Sequence, residues 1–155
     1  MKTSYLDPFV EAAVEVLKQI VTDGKVVVKK QLYLSNNISE IYDLAVIISL
    51  AGEVIGRVII DMSTETALKV ASDMNKEIIS ELNDLAKATL NELTNIIVGN
   101  AVTKLHDLGY KFDIAPPLLI TGKNLKINDL KLESFVVPLI IPQGTIEINV
   151  AIKEK

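Results

Sequence analysis

One segment constrains the fold more than any other: residues 80 to 108 read as a single long helix. Ala86, Leu90, Leu93, Ile97, Ala101, Leu105 and Leu108 recur at steps of three and four. On a helix turning about 100° per residue they form one narrow apolar stripe, the core side. Gly109 follows as the C′ glycine that ends it. Opposite the stripe lie Glu92, Asn95, Gly99, Thr103 and His106. Glu92 and Asn95, at i and i+3, are neighbours that point away from the core.

The remaining periodicities supply two shorter helices and several strands. Asp7-Pro8 reads as an N-cap followed by proline at the first helical position. Phe9, Ala12, Ala13, Val16, Leu17 and Ile20 then keep helical spacing up to Asp23-Gly24. Val26 to Leu34 reads as a strand, and Ser35 to Ser39 as a turn. Leu44 to Leu50 and Val54 to Ile60 flank Ala51-Gly52-Glu53 as a hairpin. Gly56 inside the second run points to a bulge or a close backbone approach. Ser63 caps a short helix over Thr64 to Met74. Leu118 to Thr121 reads as a short strand with a turn at 122 to 124. A second hairpin, Lys131 to Ile141 and Thr145 to Lys153, turns at Pro142-Gln143-Gly144.

Helices and hairpins in this order predict one α+β domain over residues 1–155: an antiparallel-rich β-sheet packed against helices, one of them long. Each half is a helix followed by strands, which fits an internal two-fold pseudo-symmetry.

Composition removes most chemistries. With no cysteine and a single histidine, His106, thiol catalysis, thiolate zinc sites and imidazole-rich centres are excluded by count. A net charge of −4 argues against nucleic acid as partner. No run reaches the roughly eighteen apolar residues of a membrane span. The first residues carry acids within their apolar stretch and lack a small-residue cleavage site, so no signal peptide is expected and the cytoplasm is the expected compartment.

Two features of the long helix need explanation. A glycine inside a helix is about 1 kcal/mol less favourable than alanine. Gly99 therefore points either to close approach of a partner or to a second helix of the same chain. Ile96 sits beside the Glu92/Asn95 face, as core against a neighbouring helix or as an apolar contact for a partner. His106 reads as an ordinary surface histidine near a helix C-terminus.

The segment Glu92-Leu93-Thr94-Asn95-Ile96-Ile97-Val98-Gly99-Asn100-Ala101 resembles the signature helix of the CheC/CheX family of chemotaxis phosphatases. Ser63-Thr64-Glu65-Thr66-Ala67-Leu68-Lys69-Val70, Gly109 to Pro117 and Thr121-Gly122 resemble the flanking stretches, so the likeness runs from about Ala45 onward. The resemblance is closest to the CheX branch, because the N-terminal helix offers Glu11 and Glu15 but no Glu-x-x-Asn.

The resemblance implies a phosphatase for the aspartyl phosphate of a response-regulator receiver domain of the CheY kind. Asn95 would orient the attacking water and Glu92 would pair with a receiver lysine, with Gly99 and Ile96 at the partner contact. It further implies a homodimer that has no cofactor of its own and relies on Mg²⁺ bound by the receiver. The competing reading is a non-catalytic dimeric module that binds a receiver or a flagellar-switch component.

Overall fold

Residues 3–21, 24–30, 32–34, 38–128 and 132–155 are described in a computed structural model of the chain. The elements in order are α1 (Thr3–Ile20), β1 (Val27–Val28), β2 (Leu32–Leu34), β3 (Ile38–Glu40), β4 (Leu44–Gly52), β5 (Val54–Met62), α2 (Thr64–Asn75), α3 (Asp84–Asp107), β6 (Phe112–Ile114), β7 (Leu118–Thr121), β8 (Lys126–Asn128), β9 (Ser134–Ile141) and β10 (Gly144–Glu154). The predicted α+β class holds. An antiparallel sheet runs β1-β9-β10-β5-β4-β6, with β2 also on β9 and β7 also on β4; β3 and β8 form a separate ribbon.

Both long hairpins form where expected. The β4–β5 register pairs Leu44 with Met62 and Leu50 with Gly56; β10 pairs with β5 from Ile146–Met62 to Glu154–Val54. Alternate residues of these strands (Val46, Ile48, Val58, Ile60, Ile148, Val150) join Phe9, Leu17, Leu90, Leu93, Ile97 and Leu105 in one buried cluster. The core is thus a helix layer on one face of the sheet.

Several boundaries differ from the sequence reading. Pro8 lies inside α1, because the turn before it is held by tertiary contacts. Tyr5 is buried against Tyr110 and Phe112, with ring centroids 4.9 and 5.9 Å away, and donates its hydroxyl to Glu154. The predicted strand over 26–34 is two short strands on β9. The expected turn at 35–39 gives way at its end to β3; residues 35–37 lie outside the described residues, as do Asp23 and Lys131. β6 and β8 were not expected. The helix predicted from Ser80 begins at Asp84, because Asn83 caps it through Oδ1, which accepts the Ala86 N–H at 2.9 Å.

Gly56 is explained by close approach. A Cβ there would lie 2.2 Å from the Ala151 carbonyl oxygen and 2.9 Å from the Ile152 Cα, both backbone atoms of the neighbouring strand. Gly56→Ala therefore forces the central β5–β10 pair apart. A loss of about 1–3 kcal/mol is expected, visible as a drop in Tm of several degrees; an unchanged melt would contradict the close approach.

The middle of the sheet's other face is also buried, with Ala45, Ile59, Ala151 and a polar group made of Arg57, Asp61 and Asn149. The Arg57 guanidinium donates to the Asn149 side chain at 2.6 Å and to its carbonyl at 3.1 Å. Asp61 sits opposite Glu147 in the ladder and accepts the Tyr42 N–H at 2.9 Å. Burial first, and the neighbouring Glu147 carboxyl second, push the Asp61 pKa up to about 9, against the pull of the Tyr42 N–H and Arg57. The folded pKa is thus above the unfolded value of about 3.9. The folded state holds a proton that the unfolded chain releases, so this stability is full below about pH 4 and is lost as pH rises toward about 9. Asp61→Asn keeps the acceptor for Tyr42 and can donate to Glu147. Melting curves across that window are expected to slope downward for the wild type and to flatten in the variant; parallel profiles would refute the raised Asp61 pKa.

Candidate functional site: the exposed ridge of the long helix

Three restraints fix how α3 is rotated. Leu90, Leu93, Ile97, Ala101 and Leu105 are all buried, each with 1% exposure or less. Asn75 of α2 donates to Thr89 Oγ1 at 2.8 Å, and Lys104 pairs with Glu15 of α1 at 3.2 Å. At the C-terminal end the Tyr110 N–H reaches the Leu105 carbonyl and the Gly109 N–H the His106 carbonyl, with Gly109 at φ +96°, a Schellman cap. Leu108, predicted as part of the buried stripe, is 65% exposed instead, because it lies at this cap where the helix leaves the sheet.

With one side buried, the opposite side must face solvent. Glu92 and Asn95 are both exposed. Among the described residues neither side chain is engaged in a hydrogen bond or an ion pair. They project from consecutive turns of a rigid helix. Ile96 is 41% exposed, so its reading as core against a neighbouring helix is set aside. Thr103 and His106 continue the ridge. His106 is used structurally: its Nε2 accepts the Phe112 N–H at 3.1 Å, tying the end of α3 to β6.

Gly99 is half-buried, and a Cβ built on it would meet nothing within 4 Å. Among the described residues no second helix approaches it. The packing alternative is therefore removed, and the residue stands as an unfavourable choice for the isolated fold. Leu85 shares the ridge, seven residues before Glu92, and is 43% exposed; seven residues turn the helix by about two full rotations. The sequence reading missed it, although that spacing was legible.

The ridge is convex. The nearby pocket between α2 and the β9–β10 turn is lined by Lys69, Ser72, Asp73, Pro142 and Gln143, none of them on α3. Among the described residues no group of three or more His, Cys, Asp or Glu is placed to hold a metal ion. No described helix is long and apolar enough to cross a membrane. A convex amide–carboxylate pair cannot enclose a small substrate; it can enter the cavity of another protein.

Residues 44–140 match the family model for chemotaxis phosphatase CheX, and the chain belongs to that family. It is 37% identical over 102 residues to the CheY-P phosphatase CheX of Thermotoga maritima, a match spanning 65% of this chain and 63% of that protein. The chain thus spans somewhat under two thirds of that relative. The fold superposes with a TM-score of 0.83 on a chain from the crystal structure of the CheX–CheY–BeF₃–Mg²⁺ complex of Borrelia burgdorferi, at 42% identity, covering 97% of this chain and 98% of that one. A CheC-like superfamily protein from Shewanella sp. PV-4 shares the fold at TM-score 0.87 and 24% identity, with 99% of each chain covered.

If Gly99 is unfavourable for the isolated fold, its replacement should help that fold. Gly99→Ala is expected to stabilise the chain by about 1 kcal/mol, or about 2–4 °C in Tm for a domain of this size. A destabilised variant would mean that the position is crowded after all.

Proposed function

We propose that the chain is a phosphatase that hydrolyses the aspartyl phosphate of a CheY-type receiver domain. The observation that carries the reading is the Glu92/Asn95 pair: exposed, unengaged and held at fixed spacing on the ridge of α3. The Thermotoga relative bears the name of this activity, and the Borrelia structure holds CheX together with CheY and Mg²⁺.

An acyl phosphate is already activated, so the catalytic task is to hold one water in line with the phosphorus. The Asn95 amide can accept from that water and donate to a phosphoryl oxygen at once. As the water oxygen bonds to phosphorus, the bond to the aspartyl oxygen breaks. The receiver regains its carboxylate and inorganic phosphate leaves. Glu92 pairs with a receiver lysine and sets the depth and angle at which Asn95 enters. Charge on the phosphoryl oxygens is neutralised by Mg²⁺ held by the receiver. Gly99 leaves room for the receiver backbone, and Ile96 gives an apolar contact beside the pair.

The test is loss of phosphate from a phosphorylated CheY-type receiver of the same source. Wild type is expected to accelerate it. Asn95→Ala should lower kcat by about 10²–10³-fold, the usual effect of removing one positioned hydrogen-bonding group. Glu92→Ala should act more on KM, by about tenfold. Both sites are exposed, so melting curves should be unchanged. Receiver binding without acceleration would instead make the chain a non-catalytic interaction module. Light scattering of the same samples reads whether the chain is the homodimer that the family resemblance implies.

A further inference from the structure

The catalytic pair is too small to be a docking surface. A stable protein–protein interface covers about 800 Å² on each partner, equivalent to a disc about 16 Å in radius. Centred on Glu92 and Asn95, such a disc must take in much of the α3 ridge. Leu85 lies seven residues before Glu92 on the same ridge, which at about 1.5 Å per residue is roughly 10 Å along the axis.

The loop that leads into α3 carries a second exposed apolar side chain. Ile78, in the loop between α2 and α3, is 94% exposed. That loop is firmly held. Ser72 Oγ accepts the Ile79 N–H at 2.9 Å and lies 3.3 Å from the Ile79 carbonyl, to which it can donate. The Ile79 side chain is buried with Ala71 and Ala86. The loop begins at Lys76 in the left-handed region and ends at the Asn83 cap. Ile78 is therefore held in water by a loop whose next residue packs against Ala86 in the first turn of α3, the neighbour of Leu85 in sequence. Ile79 meets every packing need of the loop, so Ile78 contributes nothing to the core.

Resting on the functional reading above, we propose that Leu85 and Ile78 form an apolar anchor for the receiver. They would seat in an apolar recess beside its phosphorylated aspartate and select which receiver is served. In this arrangement Glu92 and Asn95 do the chemistry and orientation, and the N-terminal end of α3 supplies affinity. Apolar side chains that an interface takes fully out of water are where binding energy concentrates.

The anchor makes a demand that a structural role does not. Leu85→Ser and Ile78→Ser should each raise KM for a phosphorylated CheY-type receiver of the same source by about tenfold, with kcat and the melting curve unchanged, and together by more than either alone. Leu85→Met should restore most of the loss. An unchanged KM in both serine variants, with wild type active, overturns the anchor and leaves the phosphatase reading standing. Wild type that neither hydrolyses nor binds the receiver overturns both. If the serine variants keep their KM but lose self-association in light scattering, the surface belongs to a second copy of the chain and the proposal fails.

Discussion

The rotational setting of α3 is the constraint on which the site depends. A helix has one degree of freedom that a sequence cannot express as a contact: the angle at which it rolls on its support. Here Leu90, Leu93, Ile97, Ala101 and Leu105 are driven into the core. Each buried leucine or isoleucine contributes about 1.5–3 kcal/mol. Rolling the helix by one residue would expose several of them at once. The exposed positions are therefore set by the buried ones, with no side-chain network needed to aim Glu92 and Asn95. The hydrogen bond from Asn75 and the ion pair of Lys104 with Glu15 trim this setting; exposed pairs of the latter kind add only about 0–1 kcal/mol.

The sheet enters as the support that makes such a roll costly. Its central strands approach so closely at Gly56 that no side chain fits against Ala151. The far face is buried as well, and it carries Arg57, Asp61 and Asn149 rather than a purely apolar layer. Burial first, and the Glu147 carboxyl across the ladder second, favour the neutral Asp61 carboxyl, which is why its pKa rises. The polar group fixes register: sliding β5 against β10 by one residue would turn Asp61 into the apolar core.

Much of this was legible in the sequence, for an identifiable reason. The α3 stripe repeats over many turns, so its phase could be read and the outward position of Glu92, Asn95 and Gly99 followed. The hairpins were legible because long β-branched runs flank turn residues. What escaped was short or depended on tertiary contact. β3, β6 and β8 have three residues each, too few to show a period. Ser80 reads as the start of the long helix, yet residues 80–83 belong to the loop, and the Asn83 cap three residues before Ala86 marks the true start. Pro8 looked like a helix start because the contacts of Tyr5, which extend the helix upstream, come from the far end of the chain. Along β10, Asn149 and Ala151 alternate with the core residues Ile148 and Val150, yet they are buried too, because the middle of the sheet's far face is also covered.

The residue types on the ridge fit a division of labour between two proteins. Gly99 is the sharpest case, because it weakens the helix while relieving no contact among the described residues. That character fits the proposed close approach of a partner at this position. Glu92 and Asn95 have the same character: a carboxylate and an amide exposed on a helix ridge do not enclose a small molecule. In the proposed reading, a receiver that already holds an activated acyl phosphate, a metal and a lysine would gain from this pair only the ordering of a water. The convex shape is then a requirement rather than a deficiency, since the cavity belongs to the partner. The same reasoning accounts for a chain with no cysteine and one histidine, the latter tied to Phe112. Its part of the reaction is geometric, and geometry is what a firmly seated helix provides.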